Sequence, residues 1–437
     1  MKVTYITAGA AGMYCGSCMH DNTLAAALMR IGCDVTLVPV YTPIRTDEES
    51  VSLDRVFFGG INAYLQQKSF IFRHLPKWMD GWLNNPRLIR SVSGRAVSID
   101  AEALGELTLS TLKGEHGKQA KEVGRLIDWL RDETRPDLVH LTNLLIGGFA
   151  PVIKRELGVP VLVTLQGDDL FLEHLKEPYR SQVMGEMKRL ASEVDGFVVN
   201  SEYYAKAMAT LLEEPLEKFH QIPLGLRTVD FESIDRSKSK NEGGQTVGYF
   251  ARIAPEKGFH LLVDAFIRLK EWPDTRECRF HAAGWLSSDE REYFESEKAK
   301  MESAGVLDSF EYKGELDREG KLAFFDEIDL FSVPAAYREP KGLYVLEALA
   351  SGVPVVQPAH GIFPELVEAT GGGELVAPGS GAELAEKLGV LFHDKERREA
   401  LAETGRDRVH ERFNSNEMAR RTLDLYSHVL ERNRRYA

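Results

Sequence analysis

The chain has 437 residues, 43% of them hydrophobic and 28% charged, with a formal net charge of −13. At roughly 100–200 residues per domain this is too long for one ordinary core, so two domains are expected. The acidic balance argues against a nucleic-acid binder, and four cysteines are too few for a disulfide framework, which points to a reducing compartment.

The opening "MKVTYITAGA" has no charged segment followed by a long apolar stretch, so it reads as a strand and not as a signal peptide. No run approaches the ~18 apolar residues needed to span a bilayer, and a cytoplasmic location is expected. "KVTYIT" is followed by a glycine-containing loop, the helical stretch "NTLAAALMRIG" and the strand "DVTLVPV", the opening of a parallel α/β sheet. The rhythm returns at "DLVHLT", "VPVLVTLQ" and "DGFVVNS". Residues 69–95 interrupt it, with Phe70, Phe72, Trp78 and Trp82 interleaved with Arg73, Lys77, Arg87 and Arg90. Two readings stand: an interfacial membrane or acceptor-binding element, and a helical insertion packed on its own domain. The second is the default, because aromatic stripes more often belong to cores.

Near 228–246 the chain turns polar, "TVDFESIDRSKSKNEGGQ", and reads as a linker. A second series begins with the strand "TVGYFARIA" and a helix carrying Phe259, Leu262, Val263 and Phe266 at helical spacing. Strands follow at "RFHAAG", "SFEYKG", "DLFSVP" and "VPVVQP", and "NEMARRTLDLYSHVLERNRR" closes the chain as a helix. The expected organisation is therefore an N-terminal domain over 1–227, a linker over 228–246, a second domain over 247–412 and a closing helix over 413–437. Ligands in such folds lie outside the carboxyl ends of the strands.

Two stretches invite chemistry. In "AGMYCGSCMHDN", Cys15 and Cys18 stand two residues apart with His20 close behind. This spacing admits a redox dithiol or part of a metal site. A structural zinc wants four ligands, and only three lie here. Gly16 has another explanation, a backbone that must pass close to a ligand.

The second stretch is "REPKGLYVLEALASGVPVVQPAHGIFPELVE". Glu339 precedes a helix expected to begin near Gly342, and Glu347 lies about one turn inside it. The helix start at Lys341, Gly342 and Leu343 offers backbone N–H groups and a positive dipole end to an anion. Two carboxylates that flank it can accept from pairs of sugar hydroxyls. In "FARIAPEKG", Arg252 and Lys257 follow a strand of the same domain and suit phosphate. The plain alternative is an ion pair of Arg252 with Glu256. Asp168 and Asp169 suggest either a metal site for a diphosphate or, more simply, caps on the following helix. No metal is needed where Arg252, Lys257 and a helix end already supply positive charge.

Taken together these motifs resemble the retaining glycosyltransferases of family 4, over nearly the whole chain and most closely in its C-terminal half. The family signature is a Glu, seven residues, a second Glu and then A-x-G-x-P-V, matched here by Glu339, Glu347 and "ALASGVPVV". The resemblance implies an α/β fold of two facing Rossmann-like domains with a cleft between them (GT-B type), the C-terminal helix packing back towards the N-terminal domain. It also implies Glu339 on the donor sugar, Glu347 on the ribose, Arg252 and Lys257 on the diphosphate, and "YKGEL" beside the base. The family's Gly-Gly loop falls on Cys15-Gly16 and its following His on His20. A His-x-His pattern common in the family reads "HLTN" here: His140 matches the first position as the candidate electrophilic residue, and Thr142 replaces the second. Gln166 also stands where a His is common, and Lys341 where an aromatic is usual.

The implied reaction is retaining transfer of a hexosyl group from a nucleoside diphosphate sugar to an acceptor hydroxyl, with the charge of the leaving diphosphate stabilised by the site and no cofactor. The partners are the nucleotide-sugar and an acceptor, with no nucleic acid. Alternatives are an epimerase or phosphorylase on the same fold, or a thiol-redox or metal protein using Cys15 and Cys18.

Overall fold

The computed structural model describes residues 1–9, 15–58, 67, 101–234 and 245–436. The aromatic and basic stretch 69–95 and most of the loop before Cys15 lie outside the described residues. The chain forms two compact units, Met1–Gly225 with Ser415–Ala437, and Leu226–Asn414.

The first unit is built on six parallel strands in the order β2-β1-β3-β4-β5-β6. They are β1 (Lys2–Thr7), β2 (Asp34–Pro39), β3 (Leu138–Leu141), β4 (Val161–Thr164), β5 (Gly196–Val199) and β6 (Phe219–Gln221). All four residues of β3, β4 and β5 are buried. A parallel sheet covered by helices on both faces demands this, and it explains why these strands read as unbroken apolar runs. Helices α1 (Gly16–Arg30), α2 (Ala101–Leu112) and α3 (Ala120–Trp129) belong to this unit.

The second unit repeats the plan with β12-β11-β10-β7-β8-β9. Its strands are β7 (Thr246–Phe250), β8 (Arg279–Ala283), β9 (Phe310–Tyr312), β10 (Leu330–Phe331), β11 (Val355–Pro358) and β12 (Gly373–Val376). Its helices include α4 (Phe259–Glu271), α5 (Arg318–Glu327) and α6 (Leu343–Ala350). Phe259, Leu262, Val263 and Phe266 of α4 are fully buried, as their spacing predicts.

The closing helix α7 (Ser415–Tyr436) returns to the first unit. Its Met418, Ala419, Tyr426 and Val429 share a core cluster with Leu24 and Leu28 of α1. Strands β6 and β12 are absent from the sequence reading, because "FHQ" and "GELV" carry too few apolar residues to stand out. The polar stretch from 228 needs correcting in part. Thr228–Phe231 forms a 3₁₀ turn, Phe231 is fully buried, and the Arg318 guanidinium lies 4.9 Å from its ring while pairing with Asp230 at 2.6 Å. This segment is anchored to the second unit by two side chains that its polar neighbours mask.

Candidate functional site

In the second unit, three neighbouring strands deliver loops to one place at their carboxyl ends. After β7 comes the 3₁₀ turn Pro255–Lys257, so Lys257 ends a turn and does not begin the following helix. After β10 comes the loop that holds Tyr337 and Glu339, and after β11 the turn at Gly361. The Ala336 N–H donates to Glu256 O at 2.9 Å and the Ile362 N–H to Glu339 O at 2.9 Å, which staples the three loops together. Gly361 has φ +59°, and a Cβ there would stand 2.6 Å from Glu339 N. Helix α6 starts behind Gly342, whose φ of +66° places it in the left-handed region that glycine favours.

Glu339 is only 3% exposed and is held from several sides. Lys257 Nζ lies 2.7 Å from Oε2, the Tyr337 hydroxyl donates to it at 2.6 Å and the Tyr344 hydroxyl at 3.1 Å. The Lys341 and Gly342 N–H groups point at Oε1 from 3.3 and 3.5 Å. Burial alone would raise this carboxyl's pKa, but the Lys257 charge and these donors overcome it and hold it down at about 2. Lys257 also donates to the Tyr337 hydroxyl and lies over the Tyr337 and Tyr344 rings, 4.8 and 5.3 Å from their centroids. Neither tyrosine was singled out from sequence. Both flank the glutamate closely, which is the one signal that would have found them.

Glu347 lies within α6 at 4% exposure. Its Oε1 accepts from Lys321 Nζ of α5 at 2.7 Å, and Lys321 is 2% exposed. A buried carboxylate here requires this ammonium, since an unpaired one would be very costly. Arg252, two residues past β7, pairs with Glu256, the alternative raised from sequence. Its side chain is 45% exposed, and the pair leaves the guanidinium at the surface. Lys341 sits beside Glu339 with its charge favouring the carboxylate. The structure thus gathers Lys257, Glu339, Lys341, Gly342 and Leu343 at the start of α6. Glu347 lies one turn on, and Arg252 stands before the turn that carries Lys257.

In the first unit the expected role of His140 needs correction. Its ring is fully buried within β3, with Nδ1 2.6 Å from the Tyr426 hydroxyl and Nε2 2.7 Å from Thr164 Oγ1. Burial lowers its pKa to about 3. A neutral imidazole with both nitrogens engaged inside the sheet offers nothing to a substrate, so His140 is a core residue joining β3, β4 and α7.

The polar centre at the strand ends is instead Asp21, which is fully buried. It accepts from Tyr5 at 2.9 Å, Thr7 at 2.7 Å, Thr142 at 2.6 Å and Gln166 at 3.1 Å, and His20 Nδ1 lies 3.2 Å away. Burial opposes its charge, yet the bonds from His20, Thr142 and Thr7 keep its carboxyl below the usual range. Thr142 and Gln166, the two departures from the family's histidine pattern, therefore both serve one carboxylate. Asp168 is buried and accepts from the Leu144 N–H at 2.7 Å and the Gln166 N–H at 3.0 Å, and burial raises its pKa to about 6. It ties two loops together and does not cap the end of its own helix. Asp169 accepts from the Tyr204 hydroxyl at 2.6 Å.

Gly16 is the first residue of α1 and Cys15 its N-cap. Cys15 and Cys18 are not joined in a disulfide. Among the described residues, no three His, Cys, Asp or Glu side chains come together as a metal site.

Residues 22–225 match the family described as glycosyl transferase 4-like domain, and residues 230–408 match glycosyl transferases group 1. The chain belongs to this glycosyltransferase family. It is 27% identical over 312 residues to the 2-deoxystreptamine glucosyltransferase of Streptomyces kanamyceticus, covering 68% of this chain and 78% of that protein. It is 25% identical over 210 residues to the phosphatidyl-myo-inositol mannosyltransferase of Mycobacterium leprae, covering 48% of this chain and only 53% of that one. Among solved structures, Anabaena HepE in complex with UDP superposes with a TM-score of 0.69 at 17% identity, covering 98% of this chain and 100% of that chain. At that identity the likeness concerns the fold, α/β with two six-stranded parallel sheets.

Proposed function

We propose that the protein is a retaining hexosyltransferase that moves a sugar from a nucleoside diphosphate sugar to an acceptor hydroxyl. The observation that carries this reading is the cluster at the start of α6. An ionised, nearly buried Glu339 is held there by Lys257 beside backbone N–H groups, with a second buried carboxylate, Glu347, one turn further on. Glu339 is the group for the donor sugar hydroxyls and Glu347 for the ribose. Lys257, Arg252 and the α6 N-terminus take the diphosphate, Arg252 exchanging Glu256 for phosphate as a fork-shaped donor. The charge that builds on the leaving diphosphate is met by these fixed donors, so donor binding needs no metal. The relatives that transfer glucose and mannose fit this reading, as does a fold neighbour solved with UDP. Four cysteines outside any disulfide suit the cytoplasm, and no helix among the described residues is long and apolar enough to cross a membrane.

The test is thermal unfolding with UDP-, ADP- and GDP-hexoses in EDTA, followed by product analysis. One donor should raise the melting temperature by mass action, worth about 2.7 kcal/mol at a hundredfold excess over Kd. Glu347→Ala should chiefly weaken donor binding and Glu339→Ala should chiefly cut turnover, since contacts to the reacting sugar sharpen in the transition state. The product should keep the donor's anomeric configuration by NMR. Donor binding abolished by EDTA, or an inverted product, would refute the reading.

A further inference from the structure

The donors that converge on Glu339 are shared unequally between its two oxygens. Oε2 accepts from Lys257 Nζ at 2.7 Å, from the Tyr337 hydroxyl at 2.6 Å and from the Tyr344 hydroxyl at 3.1 Å. Oε1 meets only the Lys341 and Gly342 N–H groups, at 3.3 and 3.5 Å, beyond the span of about 2.7–3.2 Å where N–H···O bonds are firm. A carboxylate oxygen offers about two acceptor sites. Oε2 is therefore filled, and Oε1 keeps room to accept.

The three donors to Oε2 come from three elements: the turn after β7, the loop after β10 and the first turn of α6. The terminal torsion of a glutamate is broad, and donors approaching one oxygen from three sides fix the plane of the group. Lys257 also donates to the Tyr337 hydroxyl, which donates onward to Glu339, and both tyrosine rings lie within 5.3 Å of its ammonium. Two of the three ammonium protons are used in this way, and one is left for phosphate. Burial, reinforced by the Glu339 charge, pushes both phenols well above their ordinary value, so each keeps its proton and serves the carboxylate as a donor. Neutralising Glu339 needs only Lys257. What the two tyrosines add is direction.

We propose that Tyr337 and Tyr344 are positioning residues for the transfer step, which saturate Glu339 Oε2 and leave Oε1 alone to accept from a single hydroxyl of the donor sugar. This rests on the transferase reading above, in which Glu339 meets that sugar, and adds which oxygen does so and what fixes it.

The experiment uses the full chain with UDP-glucose, ADP-glucose and GDP-mannose. Release of nucleoside diphosphate is followed with water and with free glucose as acceptors, and calorimetry gives the affinity for each donor and for UDP, ADP and GDP. Wild type, Tyr337→Phe, Tyr344→Phe and the double variant are compared. Tyr293→Phe is the control, since it removes a hydroxyl of the same unit that faces His260 instead. Each phenylalanine keeps the ring and its packing and removes only the hydroxyl. With the donor that turns over best, kcat should fall about tenfold in each of the two single variants, the order set by losing one hydrogen bond to a charged group. Affinity for the nucleoside diphosphate should stay unchanged, and the control should match the wild type. Among monodeoxy forms of that donor, one alone should lose kcat with the wild type, and the double variant should discriminate against it less. Unchanged kcat in both variants, diphosphate affinity that falls as far as kcat, or equal losses for two different monodeoxy donors would overturn the proposal and leave the transferase reading standing. A wild type that binds no nucleotide-sugar, or binds one and releases no diphosphate, would overturn the transferase reading and the proposal with it.

Discussion

Two buried polar residues in the first unit show how differently one environment can treat charge. Asp21 stays ionised because four side chains donate to it and His20 lies beside it. His140 stays neutral because burial dominates and only hydroxyls face its nitrogens. The consequence for stability has a definite sign. The folded pKa of His140 is about 3 and its unfolded value about 6.5. Between those values the unfolded chain binds a proton that the folded chain refuses, so stability falls as pH drops from about 6.5 towards 3, by up to about 1.4 kcal/mol per pH unit. Urea unfolding at several pH values should show this loss in the wild type and less of it in His140→Gln, while transfer activity at neutral pH falls only as far as stability does. Equal pH dependence in both proteins would contradict the buried neutral imidazole. Glu339 adds a separate, lower window. Its folded pKa of about 2 lies below the ~4.3 of the unfolded chain, so its stabilisation is complete above about 4.3 and is lost as pH falls towards 2.

At the scale of the element, the cluster at the start of α6 depends on glycines whose conformation and space are both fixed. Gly361 and Gly305 share the left-handed region, with φ of +59° and +69°. A Cβ at Gly305 meets nothing within 4 Å, whereas one at Gly361 meets Glu339 N at 2.6 Å and Glu339 O at 2.7 Å. Gly305→Ala should therefore cost only the backbone penalty, about 1–2 kcal/mol. Gly361→Ala should cost more, because main chain cannot move aside as a flexible side chain can. It should also weaken nucleotide-sugar binding by displacing Glu339. Denaturant midpoints and donor titration of the two variants provide the comparison. Equal effects would mean that the loop after β11 does not set the position of Glu339.

At the scale of the molecule, the chain leaves its first unit at Gly225 and re-enters it at Ser415. The last helix belongs to the core of the first unit: Tyr426 is fully buried against His140, and Met418, Ala419 and Val429 pack with α1. Truncation after Asn414 should therefore destabilise the first unit and expose the apolar face of α1. The second unit keeps all its strands in Leu226–Asn414 and should retain its own transition. Differential scanning calorimetry should show one transition lost or lowered and the other within a few degrees of its position in the intact chain. Loss of both transitions would show that the units fold only together.

By itself the sequence determined the alternation of strands and helices. Buried parallel strands are continuous apolar runs, and α4 writes its core face at a period of 3.6. The sequence also showed the pair Glu339 and Glu347, because a helix start fixes their spacing locally. Tertiary structure decided the rest. Lys257 reaches Glu339 across 82 positions only because β7 and β10 are neighbours in the sheet. Lys321 of α5 reaches Glu347 of α6 across 26 positions, a meeting that neither helix announces by itself. His140, read as a site residue from the resemblance, was placed in the core by Tyr426, 286 positions away. Asp21 was passed over, although it stands in the stretch whose cysteines and histidine drew notice, because its donors come from three different strand ends. A chain of letters records spacing along itself, and sheet order sets which distant residues meet.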